Sequence, residues 1–150
     1  MKIVEASITD HEVITMITQK SKAYWGYSEE QMKEWEQELT ISPDYIQKNI
    51  VYKLLQEELC IAYYSFLEKT SSTLHLDNLF ILPEYIGKGI GHYLLNHAFQ
   101  KAHQLNAHSI QLISDPNAQG FYYRFGFRVI DQKISSIPNR FLPVMSVKIV

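Results

Sequence analysis

The sequence predicts one α/β domain, a mixed sheet with helices on both faces, and three observations lead there. The apolar spacing alternates between helical and strand periods along the chain, in the order strand, helices, three strands, helix, strand, helix, two strands. A chain of 150 residues with 46% hydrophobic content can bury one substantial core and is too short for two independent halves. No repeat, low-complexity segment or linker divides it, so residues 1–150 read as a single domain.

Ile3 to Ala6 reads as a short first strand, and Thr9 with Glu12 forms a capping-box signature that opens a helix through Lys20. Ser28, with Gln31 at the reciprocal capping position, opens a second helix in which Met32, Trp35 and Leu39 recur at helical spacing. Ser42-Pro43 is an N-cap followed by proline at the first helical position, starting a short helix through Ile46 to Ile50. The period then changes. Val51 to Leu55 and Cys60 to Leu67 are rich in β-branched and aromatic residues and flank Gln56-Glu57-Glu58, the pattern of an antiparallel hairpin. Thr73 to Leu82 is a third strand after the polar turn Lys69-Thr70-Ser71-Ser72. Beyond Gly91, the residues Leu94, Leu95, Ala98, Phe99, Ala102 and Leu105 fall on one side of a helix, with His92, Asn96, Gln100 and His103 opposite. Ser109 to Ser114 is a strand, Ala118 to Phe125 a short helix ended by Gly126, and Phe127 to Ser135 and Val144 to Ile149 are the last two strands.

Composition removes several function classes. Charged residues make up 20% of the chain, the formal net charge is -2 and no Lys/Arg block occurs, so a nucleic-acid partner is not expected. The apolar runs fall short of the roughly 20 residues that a membrane-spanning helix needs, and Met1-Lys2-Ile3-Val4-Glu5 is no signal peptide, so a cytoplasmic protein is expected. The single cysteine, Cys60, has no internal disulfide partner and reads as a small buried hydrophobe rather than a nucleophile. Six histidines are present without a close ligand pair, and His92 and His97 do not share a helical face, so no metal is expected.

The segment Phe80-Ile81-Leu82-Pro83-Glu84-Tyr85-Ile86-Gly87-Lys88-Gly89-Ile90-Gly91 puts a strand, a turn and three alternating glycines at a helix start. Glycines let successive backbone N–H groups converge, and the helix dipole adds roughly half a positive charge, so an anion can be held by main chain. A P-loop would need Ser or Thr after Gly-Lys, and a dinucleotide fingerprint would need the last glycine one position later. A tight turn with ordinary helix capping remains the alternative.

This arrangement resembles motif A of the GNAT acyltransferases, Gln/Arg-x-x-Gly-x-Gly/Ala after a strand, with Gly89 and Gly91 matching and Ile86 in place of Gln or Arg. Asp115-Pro116-Asn117-Ala118-Gln119-Gly120-Phe121-Tyr122-Tyr123-Arg124-Phe125-Gly126-Phe127 is similar to motif B of the same family, Asn-x-x-Ala-x-x-x-Tyr followed by Gly-Phe, with Asp115 in the place often held by Asn. The resemblance implies the GNAT fold, a central mixed, mostly antiparallel sheet, and an N-acetyltransferase that moves an acetyl group from acetyl-CoA to a primary amine by direct attack. On that resemblance the amides of Ile86, Gly87, Lys88, Gly89, Ile90 and Gly91 bind the pyrophosphate, with Lys88 adding charge, and the main chain of Leu79, Phe80 and Ile81 pairs with the pantetheine arm. Asp115 accepts from a pantetheine N–H, and Asn117 supplies the donor that a carboxylate lacks.

The chemistry needs a neutral amine, stabilisation of developing oxyanion charge and a proton for the thiolate. Tyr122 matches the family tyrosine that acts as general acid beside the sulfur; packing beside Phe121 and Phe125 is its other reading. Strand alternation puts His75, Asp77, Leu79 and Ile81 on one face, so His75 or Asp77 is the candidate base or a solvated side chain. Tyr24 and Trp25 form an acceptor wall or a helix hinge, and Arg140 binds an acceptor carboxylate or makes a surface pair. The expected acceptor is a small-molecule amine, with a protein or peptide acceptor, or an acyl-CoA-binding module without catalysis, as alternatives; a homodimer is expected from the family's habits.

Overall fold

In the computed structural model, which describes residues 1–69 and 71–149, seven strands form one sheet. They are β1 (Lys2–Glu5), β2 (Ile50–Gln56), β3 (Leu59–Phe66), β4 (Thr73–Ile81), β5 (Ser109–Ile113), β6 (Arg128–Ile134) and β7 (Phe141–Lys148), in the spatial order β1-β2-β3-β4-β5-β7-β6. Only β4 and β5 run parallel; every other neighbouring pair is antiparallel. The expected mixed, mostly antiparallel sheet is therefore present. Thr70, in the expected turn before β4, and the terminal Val150 lie outside the described residues.

Among the described residues five helices accompany the sheet: α1 (His11–Ala23), α2 (Glu29–Glu34), α3 (Pro43–Lys48), α4 (Ile90–Gln104) and α5 (Gln119–Arg124). Two neighbours on β3 show how they are distributed. The Tyr63 hydroxyl meets Thr18 of α1 at 2.6 Å, and the Tyr64 hydroxyl meets His97 Nδ1 of α4 at 2.7 Å. Successive side chains of a strand point to opposite faces, so α1 and α4 cover opposite sides of the sheet. This explains why β3 is buried from Cys60 to Phe66 and reads as an almost continuous apolar run.

Local chemistry accounts for the helix starts. Ser28 Oγ accepts from the Gln31 N–H and Ser42 Oγ from the Tyr45 N–H, with Pro43 at the first helical position. At the first helix the cap lies earlier than the Thr9 signature indicates: Ser7 and Asp10 form the capping box of a 3-10 turn over Ile8–Asp10 that leads into α1. The second helix also ends sooner than its apolar spacing implies. Trp35 caps α2 instead of continuing it, because its ring is buried and its Nε1–H donates to Ser136 Oγ at 2.9 Å. On α4, Leu94, Leu95, Ala98 and Ala102 are buried and Phe99 and the C-cap Leu105 half-buried, as their spacing predicts, and His92, Asn96, Gln100 and His103 face outward.

The last strand starts at Phe141, three residues before the expected start, and carries Pro143 inside a strand flanked on both sides. Proline cannot donate to a ladder. The pairing of β7 with β5 ends at Ile113 and Val144, and Pro143 only accepts there, from the Ser114 N–H at 2.9 Å, so its missing N–H falls where β5 has ended.

Candidate active site

Two irregularities of β4 create the site. Its parallel pairing with β5 runs from Thr73 with Ser109 to Leu76 with Leu112 and stops there. Beyond Leu76, β4 continues to Ile81 with β3 on one edge and no strand on the other among the described residues. The two strands splay apart, and a cleft of about 1200 Å³ opens between them, lined by Leu79, Phe80 and Ile81 on one side and by Ile113, Ser114 and Asp115 on the other. Pantetheine is a chain of amides, and an unpaired strand edge offers amide partners of the same kind.

The second irregularity is a bulge. Ser65 pairs with Asn78 but Phe66 pairs with Leu76, so Asp77 is the extra residue. A bulge resets the alternation, and the four residues expected on one face are divided. Leu79 and Ile81 pair with Tyr64 and Ala62, on the face that α4 covers, whereas Asp77 turns to the opposite face. There its Oδ2 accepts from the Tyr45 hydroxyl at 2.5 Å, a group shared with Ser65 Oγ at 2.9 Å. Asp77 lines the cleft and its Oδ1 has no protein donor among the described residues. His75, exposed and on the stretch that pairs with β5, does not line the cleft. Burial, then the Asp77 charge, pushes the Tyr45 phenol far above its ordinary value, so it stays a donor to Asp77.

At the cleft's other end the glycine turn meets α4. Gly87 and Gly89 sit at φ +82° and +80°, in the left-handed region that L side chains rarely adopt, and an added Cβ would meet nothing within 4 Å at either. The turn is thus shaped by backbone conformation, with open space above it. The N–H groups of Gly89, Ile90, Gly91 and His92 donate to no acceptor among the described residues, as the first turn of a helix leaves them. Gly91 is different: its Cβ would stand 3.1 Å from the Phe121 ring, so glycine here lets α5 approach α4. Ile86, Gly87, Gly89, Ile90 and Gly91 line the cleft, while Lys88 turns its ammonium over the Tyr85 ring at 5.6 Å.

Tyr122 of α5 lines the cleft, 8% exposed and packed edge-on against Phe121 at 5.1 Å and Phe127 at 5.6 Å. Its hydroxyl has no hydrogen-bond partner among the described residues, and burial alone pushes the phenol far above the ordinary tyrosine value. It holds its proton at neutral pH.

These elements match a known family. The sequence fits the model of the acetyltransferase (GNAT) domain over residues 19–145. The chain belongs to the GNAT acetyltransferase family. Among solved structures, this GNAT domain is similar to the PaiA N-acetyltransferase from Thermoplasma acidophilum in complex with coenzyme A, at 22% identity and TM-score 0.82 over 98% of each chain. It is also similar to the ribosomal-protein-S18-alanine N-acetyltransferase from Escherichia coli, at 19% identity and TM-score 0.76 over 99% of this chain and 93% of that one. An aminoglycoside 6'-N-acetyltransferase complexed with coenzyme A aligns at 12% identity and TM-score 0.72 over 100% and 98% of the two chains. At these identities the likeness is one of fold. No curated protein matches in sequence.

The remaining sequence-predicted residues of the GNAT domain separate into two groups. Asp115 lines the cleft, and its carboxylate is engaged within the protein. Oδ2 takes the Lys22 ammonium at 2.5 Å and the Tyr27 hydroxyl at 2.8 Å; Oδ1 takes the Asn117 backbone N–H at 2.9 Å and its carboxamide at 2.8 Å. Four donors exhaust its acceptor sites. Burial disfavours the charge, yet Lys22 foremost, then Asn117 and Tyr27, hold Asp115 below the usual carboxylate range. The Asn117 carboxamide donates to Asp115 Oδ1 at 2.8 Å and to the Tyr27 hydroxyl at 3.3 Å. Trp25 lines the cleft at 43% exposure, whereas Tyr24, edge-on against it at 5.2 Å, does not. Arg140 lines the cleft, its Nη1 donating to the Tyr27 hydroxyl at 2.6 Å.

Several lining residues escaped the sequence reading: Lys22, Trp35 and Ser136. Lys22 stands 5.0 Å from the Trp35 ring centre and 5.3 Å from that of Tyr27, and Tyr27 packs edge-on to Trp35 at 4.8 Å. Lys22 and Asp115 are 93 residues apart and Trp35 and Ser136 101 apart, so no local spacing could pair them. Among the described residues no group of three or more His, Cys, Asp and Glu is placed to hold a metal. No helix among the described residues is long and apolar enough to cross a membrane. Burial pushes the Cys60 thiol up to about 11, away from nucleophilic chemistry.

Proposed function

We propose that this protein is an acetyl-CoA-dependent N-acetyltransferase whose acceptor is a primary amine on a small molecule. One observation carries the reading: the open edge of β4, the donor groups at the start of α4 and the unpartnered phenol of Tyr122 line a single cleft. Bound there, acetyl-CoA supplies the activated acyl group as a thioester.

The protein's own groups then divide the work. The amides of Gly89 to His92, with the positive end of the α4 dipole, hold the pyrophosphate. The free edge of Leu79 to Ile81 orients the pantetheine arm, and a backbone N–H of this segment stabilises developing negative charge on the acyl oxygen. Tyr122, kept protonated by burial, gives its proton to the departing sulfur. The same burial raises the proton affinity of any anion formed beside it, so the transfer is not opposed by the phenol's raised value. Asp77, with Oδ1 free and Oδ2 fixed by Tyr45, is the base that takes the amine's proton through water. His75 does not line the cleft, which favours Asp77 for that role.

The acceptor enters where Lys22, Trp25, Trp35 and Glu38 face Ser135, Ser136 and Arg140. Walls on both sides favour a small amine over a folded protein surface. One continuous sheet supports a single functional domain, and the acetyl-CoA supply points to the cytoplasm. On the outermost strand β6 all seven residues are exposed, Ile130 at 59% and Ile134 at 80%, so a homodimer would seat there. Acetyl-CoA turnover against a panel of primary amines tests the reading. Binding of coenzyme A without turnover on any amine would favour a binding module instead.

A further inference from the structure

Arg140 is a cation held in place without an anion. Its Nη1 donates to the Tyr27 hydroxyl at 2.6 Å and its guanidinium carbon lies 5.1 Å from the Tyr27 ring centre. Tyr27 in turn donates to Asp115 and packs against Trp35, which is anchored to Ser136. The arginine is therefore fixed by a supporting shell, the condition for a preorganised binding group. Yet its Nε is buried with no acceptor, and Nη2 makes no hydrogen bond among the described residues. A buried donor on a charged group left unpaired is costly and rare.

The protein's nearby carboxylate cannot supply the missing acceptor. Asp115 is two hydrogen bonds away through Tyr27, but both of its oxygens are already filled by Lys22, Tyr27 and Asn117. Lys22 consumes that negative charge, so Arg140 remains uncompensated at the acceptor end of the cleft. The unpaired edge of the guanidinium, Nε with Nη2, has the two-donor geometry that matches a planar carboxylate, and a ligand oxygen reaches the buried Nε only if the side chains over it shift. Asp77 and Glu38, which line the same cleft, provide the opposite sign for an ammonium.

We propose that Arg140 is a specificity-determining residue that reads a carboxylate on the acceptor, so that the acceptors of this protein are amino-acid-like: a primary amine and a carboxylate on one small molecule. The inference rests on the acetyltransferase reading above and narrows its substrate class. Unadorned amines and polyamines are poor acceptors because they leave the fork empty and add a cation beside it.

The test uses matched pairs that differ only by the carboxylate, L-lysine against cadaverine and β-alanine against ethylamine, together with phosphoethanolamine. Two readouts are taken on the full-length protein with coenzyme A: kcat/KM for acetyl transfer, and binding by tryptophan fluorescence. Both tryptophans of the chain, Trp25 and Trp35, line the cleft. The carboxylated member of each pair is expected to be preferred about ten- to a hundredfold. In Arg140→Gln the preference should fall to within about threefold through KM rather than kcat, and Arg140→Lys, a point charge without the fork, should restore only part of it. Equal use of both members, or a preference for phosphoethanolamine, overturns the inference. If no amine is acetylated the enzymatic reading fails, and the fluorescence titration still decides whether Arg140 selects the carboxylate. Should Arg140→Gln fail to fold, Arg140→Lys carries the comparison.

Discussion

Gly89→Ala isolates the glycine turn from everything else in the cleft. The residue sits at φ +80° as the N-cap of α4, and an added Cβ would meet no atom within 4 Å. Any cost is therefore backbone strain, about 1–2 kcal/mol for an L residue in the left-handed region, reduced by about 0.4–1 kcal/mol because alanine also stiffens the unfolded chain. A net loss of about 1 kcal/mol lowers the melting temperature by about 3 °C in a chain of this size. Ligand binding should suffer more. If alanine relieves its strain by rotating the turn, the amide leading into Ile90 swings away from the anion, and losing one hydrogen bond to a charged group costs about 1.5–3 kcal/mol. That is about ten- to a hundredfold in Kd for coenzyme A. Gly120→Ala is the control: it lies in α5 with ordinary φ and open space around its Cβ position, so stability should hold or rise. Thermal melts without ligand and calorimetry with coenzyme A read the two effects separately. A Gly89→Ala protein that binds coenzyme A within twofold of the parent would refute the assignment of the pyrophosphate to this turn.

Other substitutions test the remaining links. Tyr122→Phe keeps the ring packed against Phe121 and Phe127 but removes the proton, so kcat should fall by about 10²–10⁴ with KM for acetyl-CoA little changed; steady-state kinetics check this, and an unchanged kcat removes Tyr122 from the chemistry. Asp10, bonded to Lys53 and Ser7, and Asp115 both titrate below the ordinary carboxylate value of about 3.9. Their contribution to stability is thus complete above that pH and is lost as pH falls through the lower folded values, so melts between pH 2 and 6 should show an acid limb that is shallower in Asp10→Asn and Asp115→Asn. Glu58, at φ +93° in the hairpin between β2 and β3, pays a left-handed strain that glycine avoids; Glu58→Gly should raise the melting temperature by a few degrees. Ile130→Lys with Ile134→Lys should convert a dimer to a monomer in sedimentation while leaving the melt of the monomer near the parent's, and a parent that is monomeric at all concentrations rules out the β6 interface.

What could be read from the sequence was local. Ser28 and Ser42 announce their helices because a cap needs only the next three residues, and the alternating glycines announce Gly87 and Gly89 because left-handed backbone is cheap only for glycine. The apolar face of α4 follows from its period, and the two motif blocks identify the family whose model spans residues 19–145. The bulge at Asp77 could not be read, since strand alternation assumes a regular ladder and the inserted residue is defined by the partner β3, not by β4 itself. The same holds for Asp115. Its motif position indicates a cofactor contact, but its occupancy is decided by Lys22 and Tyr27, whose distance in sequence hides them.

The cleft divides its labour between main chain and side chains. The half facing α4 is built from main chain, with glycines and an open strand edge, and main chain recognises a constant ligand whatever the surrounding side chains become. The half facing α1 and the β6–β7 connection is built from side chains that depend on one another: Lys22 neutralises Asp115, Asp115 orients Tyr27, Tyr27 fixes Arg140, and Trp35 ties the group to Ser136. In such a chain the substitution of any one member changes the charge or position of the next. Asp115→Asn should therefore do more than remove an ion pair. It frees Lys22 as a second uncompensated cation beside Arg140, and binding of an anionic acceptor should tighten or shift in salt dependence while affinity for coenzyme A stays near the parent's. Equal losses for both ligands would mean that Asp115 serves the cofactor half after all.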